Sequence, residues 1–472
     1  MLELVRTLSL GETGKIRGAT ENILETVGFS VMHPELLNRA RAAGAKVDEA
    51  GGRVRFPAPL LRELLAQAPA SYIIRGLDGK EHIIGGNHQC CHAIVTDPWI
   101  IDYETQQPRR PRLEDVRRHT RIAQLLEQVA SVSLMDFPVT DFEGPTSSLH
   151  AREEYLLCHA KHLYAYSTSI EDFRLWLRIK SLLEKNGPSG KGHLMSAAVA
   201  VVSPLTLVEA NAETLTLACQ YNMPVIPTLS LLAGTTSPYS LAGTLLQANA
   251  EAVAVAALTQ IVKPGHPFLY TLLPSVADMM TGYDRYYTLD KVLWKIASVQ
   301  LGKSYNLPVS AECGGTLNPR YDLQSGAEGV LFMLAAHACE ANVLAGIGSC
   351  YNAIGMSGEM MLIHTAWLQV AKFLGRGIRT DDLHLGLENV RRAGPGANYL
   401  MDDLTVELVR NDEFFHHPLF DYSCEFGNGD SMFVRAHKMA EELVAAWRSP
   451  VSGKVQEDIL RFFAELYKKL EK

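Results

Sequence analysis

Along the middle of the chain, short apolar runs alternate with stretches in which apolar residues return every three or four positions. The runs begin near Ala130, His162, His193, Pro224, His266, Leu307 and Asn342. Their starts lie roughly 30–40 residues apart, the length of one strand, one helix and the turns between them. Turn-forming sequences precede several of them: Asn186-Gly-Pro188, Asn222-Met-Pro224, Pro264-Gly-His-Pro267 and Asn306-Leu-Pro308. The runs show no regular polar alternation, so they read as parallel strands covered by helices. Seven such units predict an α/β fold, a TIM (β/α)8 barrel, with the eighth strand sought in Ala397–Val409.

The flanks read differently. Residues 1–129 predict helices over Thr13–Val27, Pro34–Ala43, Pro59–Ala68 and Leu113–Val129, around turn-rich, β-leaning sequence from Tyr72 to Tyr103. Residues 376–472 add further helices, interrupted at Gly394-Pro-Gly396. The chain thus divides into an N-terminal extension (1–129), a catalytic barrel (130–375) and a C-terminal helical extension (376–472).

Composition narrows the class. The 472 residues are 47% hydrophobic and 20% charged, which is the balance of a chain with a large packed core. A net charge of −8 without any Lys/Arg block argues against a nucleic-acid or anionic-membrane partner. Charges at Glu3, Arg6, Glu12 and Lys15 break up any signal-peptide pattern, and the weakly charged run Leu229–Leu258 carries too many Gly, Ser, Pro and Asn residues for a bilayer span. Eight scattered cysteines fit reduced thiols, so the expected location is cytoplasmic, with a homo-oligomer left open.

Barrel enzymes place their chemistry at the C-terminal ends of the strands. Here that rule gathers two acids, Glu312 and Asp136, and the aromatics Phe137, Tyr166, Tyr270 and Tyr351. Ring faces attract a quaternary ammonium ion, which cannot donate a hydrogen bond, so these aromatics are candidates for a cation box. Three sets of ligand-type residues stand out: His88-Gln-Cys90-Cys91-His92, Cys158 with His159 and His162, and His416-His417. Adjacent side chains on an extended chain point to opposite sides, and no metal site is assigned to any set. Asp382-Leu-His384-Leu-Gly386 reads as a surface helix and not as a cobalt-ligating loop, so a corrinoid, if one takes part, is carried by another protein.

Several motifs occur in a fixed order: Ala233-Gly-Thr-Thr-Ser-Pro-Tyr-Ser-Leu-Ala-Gly with Glu251, Asp278-Met-Met-Thr-Gly282, Gly314-Gly315, Asp322-Leu-Gln-Ser-Gly-Ala-Glu328 and Gly394-Pro-Gly396. On these the chain resembles the trimethylamine methyltransferase superfamily, nearly end to end, and in particular its members that lack pyrrolysine and demethylate quaternary amines. Thr316-Leu-Asn-Pro-Arg320, near the family's pyrrolysine position, holds only ordinary residues. The resemblance implies methyl transfer from a quaternary amine, glycine betaine first, to the Co(I) corrinoid (cobalamin) of a partner corrinoid protein, none being bound firmly by this chain. Proline betaine, carnitine or γ-butyrobetaine as substrate, or a non-catalytic quaternary-amine-binding role, are the alternatives. In this reading Glu312 and Asp136 face the cation, Phe137, Tyr166, Tyr270 and Tyr351 box it, and Arg320 clamps a carboxylate.

Overall fold

The computed structural model describes residues 5–48, 50–93, 99–424 and 429–470. Eight parallel strands form a closed ring: β1 (Cys90–Ala93), β2 (Val129–Ser133), β3 (His162–Ala165), β4 (Met195–Ala200), β5 (Val225–Thr228), β6 (268–270), β7 (Ser310–Glu312) and β8 (Val343–Ala345). Seven pair as one sheet, and β6 bridges its two ends through Val225–Phe268 and Tyr270–Val309. Seven of the eight strands coincide with the apolar runs.

The eighth is a correction. Asp403–Arg410, which overlaps the segment expected to supply it, is a helix. The ring closes instead through β1, whose Cys90 and His92 pair with Val343 and Ala345 of β8. That strand lies inside the segment set apart as an N-terminal extension. Cys-Cys-His-Ala is too short and too polar to show as an apolar run, and only its two neighbours make it a strand.

One helix follows each strand: α1 (Leu113–Leu125), α2 (Pro145–Cys158), α3 (Ile170–Asn186), α4 (Glu209–Gln220), α5 (Leu241–Val262), α6 (Lys291–Ser304), α7 (Leu323–Ala338) and α8 (Gly358–Gly375). Ser169, Ser240, Asp322 and Ser357 cap α3, α5, α7 and α8 by accepting first-turn amide hydrogens. Helix α5 is apolar around its circumference, and by length and composition alone it could cross a membrane. Its surroundings explain this, because helices Leu10–Thr26, Pro34–Ala42 and Ala58–Gln67 pack over its outer side and leave most of it buried. At the other side of the ring, Met432–Ala446 covers α1 and α8, and Gly453–Leu470 covers α2 and α3.

The strands do alternate, contrary to the first reading of their sequence. Leu163, Ala165, Ala197, Val225, Phe268 and Leu344 point outward into the core, while His162, Tyr164, Ser196, Thr228, Leu269 and Glu312 point into the lumen. A hairpin, Ser71–Arg75 with Glu81–Gly85, plugs the N-terminal end of the lumen. It hydrogen-bonds to His193 ahead of β4, and its Tyr72, Ile74 and Ile84 pack with Ala130, Leu269 and Val343.

Two buried glutamates on helices hold strand–helix loops in place. Glu251 of α5 accepts from Ser203 Oγ at 2.7 Å and from the Leu205 amide at 2.9 Å. Glu328 of α7 accepts from Thr316 Oγ1 at 2.7 Å and from the Leu317 amide at 2.9 Å. Replacing Glu251 with Ala leaves a half-buried amide and hydroxyl without an acceptor. Its expected cost is about 2–4 kcal/mol in urea unfolding, with Glu251→Gln recovering part of it.

Candidate active site

Above the hairpin plug the lumen opens into a cavity of about 160 Å³. That is close to the roughly 150 Å³ of an engineered cavity that takes up benzene, so the space suits a ligand of few heavy atoms. Its upper wall carries Tyr164 and Tyr166 from β3 and the residue beyond it, Tyr286 and Tyr287 from the β6–α6 segment, and Glu312 at the end of β7. His92, Ser131, His162, Ser196, Thr228 and Ser310 supply polar groups lower down and around the ring.

Glu312 is the centre of the charge arrangement. Lys291 Nζ lies 2.9 Å from its Oε2, and both side chains are almost fully buried. Burial alone would raise the Glu312 carboxyl, but the ammonium groups of Lys291 and Lys295, with a hydrogen bond from Tyr286, hold it below its ordinary range. Lys291 Nζ also sits 3.0 Å from the centroid of the Tyr286 ring, and Lys295 Nζ 3.9 Å from that of Phe332. Neither lysine was sought, because both come from α6 and reach the site from behind. They are one helical turn apart on one face, a spacing that an inspection of strand ends passes over.

The tyrosine pair is held by its neighbours. Asn352, past β8, accepts from the Tyr286 amide at 2.7 Å and donates to the Asp284 carbonyl at 2.6 Å, while its own amide donates to the Thr316 carbonyl. One residue, through its side chain and its backbone amide, thereby ties together the loops after β6, β7 and β8. The Tyr287 hydroxyl meets Ser349 Oγ at 3.1 Å. Its ring lies over Gly315, where φ is +109° and a Cβ would come 2.1 Å from the ring carbons, so only glycine fits there.

Of the residues expected at the site, Glu312 and Tyr166 line the cavity. Asp136 does not: it is fully buried with its Oδ2 2.7 Å from His119 Nδ1 on α1, behind the barrel wall. Phe137, half-buried, packs with the same core and stays out of the cavity. Tyr270 faces outward and donates to Asn249 on α5 at 2.6 Å. The two-residue period of β6 decides this, since Leu269 and Thr271 take the lumen positions. Tyr351 is half-buried in the loop after β8 and does not join the lining. Arg320 is on the surface, 77% exposed beside Asp322, and offers no clamp to the cavity. Cys313 packs into the core with its Sγ against the Ala345 carbonyl.

Among the described residues no three His, Cys, Asp or Glu side chains converge as a metal-binding group. Cys91 of the His88–His92 segment points into the core while His92 points into the lumen. Asp382–Leu385 is a short helix that ends at Gly386 in the left-handed conformation, with His384 Nδ1 held by Asp381.

Comparison with known proteins decides the family. Residues 2–469 match the trimethylamine methyltransferase (MTTB) family. The chain belongs to it. A trimethylamine methyltransferase MttB of Desulfitobacterium hafniense is 24% identical over 84% of this chain and 80% of that protein. A glycine betaine methyltransferase of Desulfitobacterium hafniense is 24% identical over 90% of this chain and 88% of its own length. A proline betaine:corrinoid methyltransferase of Eubacterium limosum is 23% identical over 93% of both. Among solved structures, the monomethylamine methyltransferase (MtmB) of Methanosarcina barkeri has the same fold, with a TM-score of 0.51 at 10% identity over 93% of this chain and 89% of that one. The protein is therefore a methyltransferase on a TIM barrel. The methyltransferase motifs have structural work here: Glu251, Gly315 and Glu328 fix loops around the cavity without lining it.

Lys295 provides a test of the charge arrangement. Burial lowers its amine to about 8, partly offset by the Glu312 carboxylate, and its Nζ has no hydrogen-bond partner. An unfolded chain keeps the lysine proton up to about pH 10.4, so between these values the unfolded state binds more protons and stability rises with pH. Below about pH 8 the buried ammonium is a full penalty. Lys295→Met is expected to exceed the wild type by about 1–4 kcal/mol at neutral pH, with the gap narrowing as pH approaches about 10, in urea unfolding curves.

Proposed function

We propose that this methyltransferase removes a methyl group from a quaternary amine, with glycine betaine the first choice, and passes it to the Co(I) corrinoid of a partner protein. The observation that carries the reading is the cavity itself, a small space walled by the rings of Tyr164, Tyr166, Tyr286 and Tyr287. Ring faces bind a methylated ammonium without asking it for a hydrogen bond. The relatives that act on glycine betaine and proline betaine cover nine-tenths or more of this chain, and the latter's name couples the reaction to a corrinoid.

The fit of the corrinoid follows from size. A cavity of about 160 Å³ suits a small amine and is too small for a corrin macrocycle, which supports a corrinoid carried by another protein. On that carrier, reduced cobalt supplies the nucleophile. The rings of Tyr164, Tyr166, Tyr286 and Tyr287 would hold the methylated ammonium and keep water away from the reacting carbon. No proton has to move, because a quaternary ammonium departs as a neutral tertiary amine. Glu312, kept ionised by Lys291 and Lys295, has no proton to give.

The reading is tested by mixing the protein with a reduced corrinoid protein and single betaines while following the Co(I) to methyl-Co(III) absorbance change. Conversion that depends on one quaternary amine, with the tertiary amine as product, is expected. Absence of conversion with every betaine overturns it. In the same assay Tyr166→Leu should raise KM roughly threefold to thirtyfold while Tyr166→Phe stays near the wild type.

A further inference from the structure

Asp278-Met-Met-Thr-Gly282 and residues 234–239 stay out of the cavity lining. They follow β6 and β5, and so lie at the mouth of the barrel, where the C-terminal ends of the strands are. Ser275–Ala277 pairs with Leu232–Ala233 on one side and with Asp284–Arg285 on the other, which joins both segments into one small sheet.

The tip of that sheet, residues 278–283, is a tightly bonded turn. The Asp278 carboxylate accepts from the Met280 amide at 2.9 Å and the Thr281 amide at 3.3 Å, and it pairs with Arg285. The Asp278 amide donates to the Tyr283 carbonyl at 2.8 Å. With these polar groups satisfied inside the turn, the apolar side chains are left in solvent: Met280 is 96% exposed, and Met279 and Tyr283 are exposed beside it. Tyr239 adds a further exposed ring. A Cβ at Gly234, where φ is +95°, would come 2.8 Å from Met279 Sδ and 2.9 Å from the Tyr239 ring, so the two side chains meet over one glycine. Leu323, which starts α7 past the adjacent strand β7, is 94% exposed at the same end of the barrel. Apolar side chains exposed singly are ordinary, whereas a cluster of them marks a binding surface, and methionine adapts its shape to what covers it.

The position of the cluster points to its occupant. Arg285 runs directly into Tyr286 and Tyr287, which wall the cavity, so the exposed tip and the cavity wall belong to one segment. The cavity is too small for a macrocycle, and a methyl group leaving it meets its acceptor at the mouth. A second copy of this chain seated there would bar the acceptor. We propose that the 278–283 tip, with Tyr239 and Leu323, is the seat of the partner protein that carries the corrinoid. The identity of this occupant rests on the proposed function. The seat acts on the affinity for the carrier and takes no part in holding the amine.

The test pairs the full chain with a corrinoid protein of the same organism, purified with hydroxocobalamin bound, in biolayer interferometry, alongside calorimetric titration with tetramethylammonium. Met279→Glu and Met280→Glu together are expected to weaken carrier binding about tenfold or more and to leave tetramethylammonium affinity within about twofold. Met280→Leu, which keeps the apolar contact, should stay near the wild type. Ile378→Glu puts the same charge on a residue 93% exposed past the end of α8, at the opposite end of the barrel, and should change nothing. If thermal melting shows the double variant unfolded, Leu323→Glu takes its place, with an expected loss of about threefold or more. Carrier binding that the rim variants leave unchanged, or a loss of tetramethylammonium binding equal to the loss of carrier binding, overturns the seat. Self-association of the wild type in sedimentation that the double variant abolishes also overturns it, because the rim then belongs to a second copy. A wild type that binds the carrier through the rim but demethylates no quaternary amine defeats the amine reading and leaves the seat standing. Demethylation whose KM for the carrier is the same in wild type and rim variants defeats the seat alone.

Discussion

Each strand of a closed barrel has one face toward the lumen and one toward the helices, and this two-residue parity governs everything built on the ring. Outward positions carry Val, Ala, Leu and Phe, which join the layer between strands and helices. Inward positions carry Ser, Thr, His and Tyr, which would be costly in a solid core but are accommodated here around a cavity. The same parity sends Tyr164 and Tyr166 into the lumen, and Tyr270 away from it into a hydrogen bond with Asn249. Leu269, Ile226 and Val343 also face the lumen, so the cavity wall mixes apolar and polar groups.

The buried charges depend on that frame. Glu312 is placed on the wall by β7, and Lys291 and Lys295 reach it from α6 behind, so the carboxylate stays ionised although it is buried. Leaving either partner alone would strand a charge in the interior, which costs far more than the pair contributes. The ion pair therefore fixes the position of α6 relative to β7. The preceding segment, with Tyr286 and Tyr287, is fixed in turn by Asn352.

Legibility in the sequence followed the length and chemistry of each signal. Seven strands were visible because each is an apolar run between turn residues and a helical pattern. Cys90–Ala93 was not, since four residues of mixed polarity become a strand only between β2 and β8. The site was less legible. Glu312 and Tyr166 were reachable from the strand-end rule, whereas Asp136, Phe137, Tyr270 and Tyr351 satisfied the same rule and point elsewhere. Tyr286, Tyr287 and Asn352 come from loops, where no period says which way a side chain faces, and Lys291 and Lys295 come from a helix, to which the strand-end rule does not apply.

By itself, then, the sequence determined the repeating strand–helix architecture and, through motifs such as Ala233–Glu251 and Asp322–Glu328, the family, because both are written in local patterns that survive without contacts. Tertiary structure alone decided which strand closes the ring, which side of each strand faces the cavity, and that Glu328 secures a loop. These depend on distances between segments tens to hundreds of residues apart, such as β1 and β8, and closing the barrel is what sets those distances.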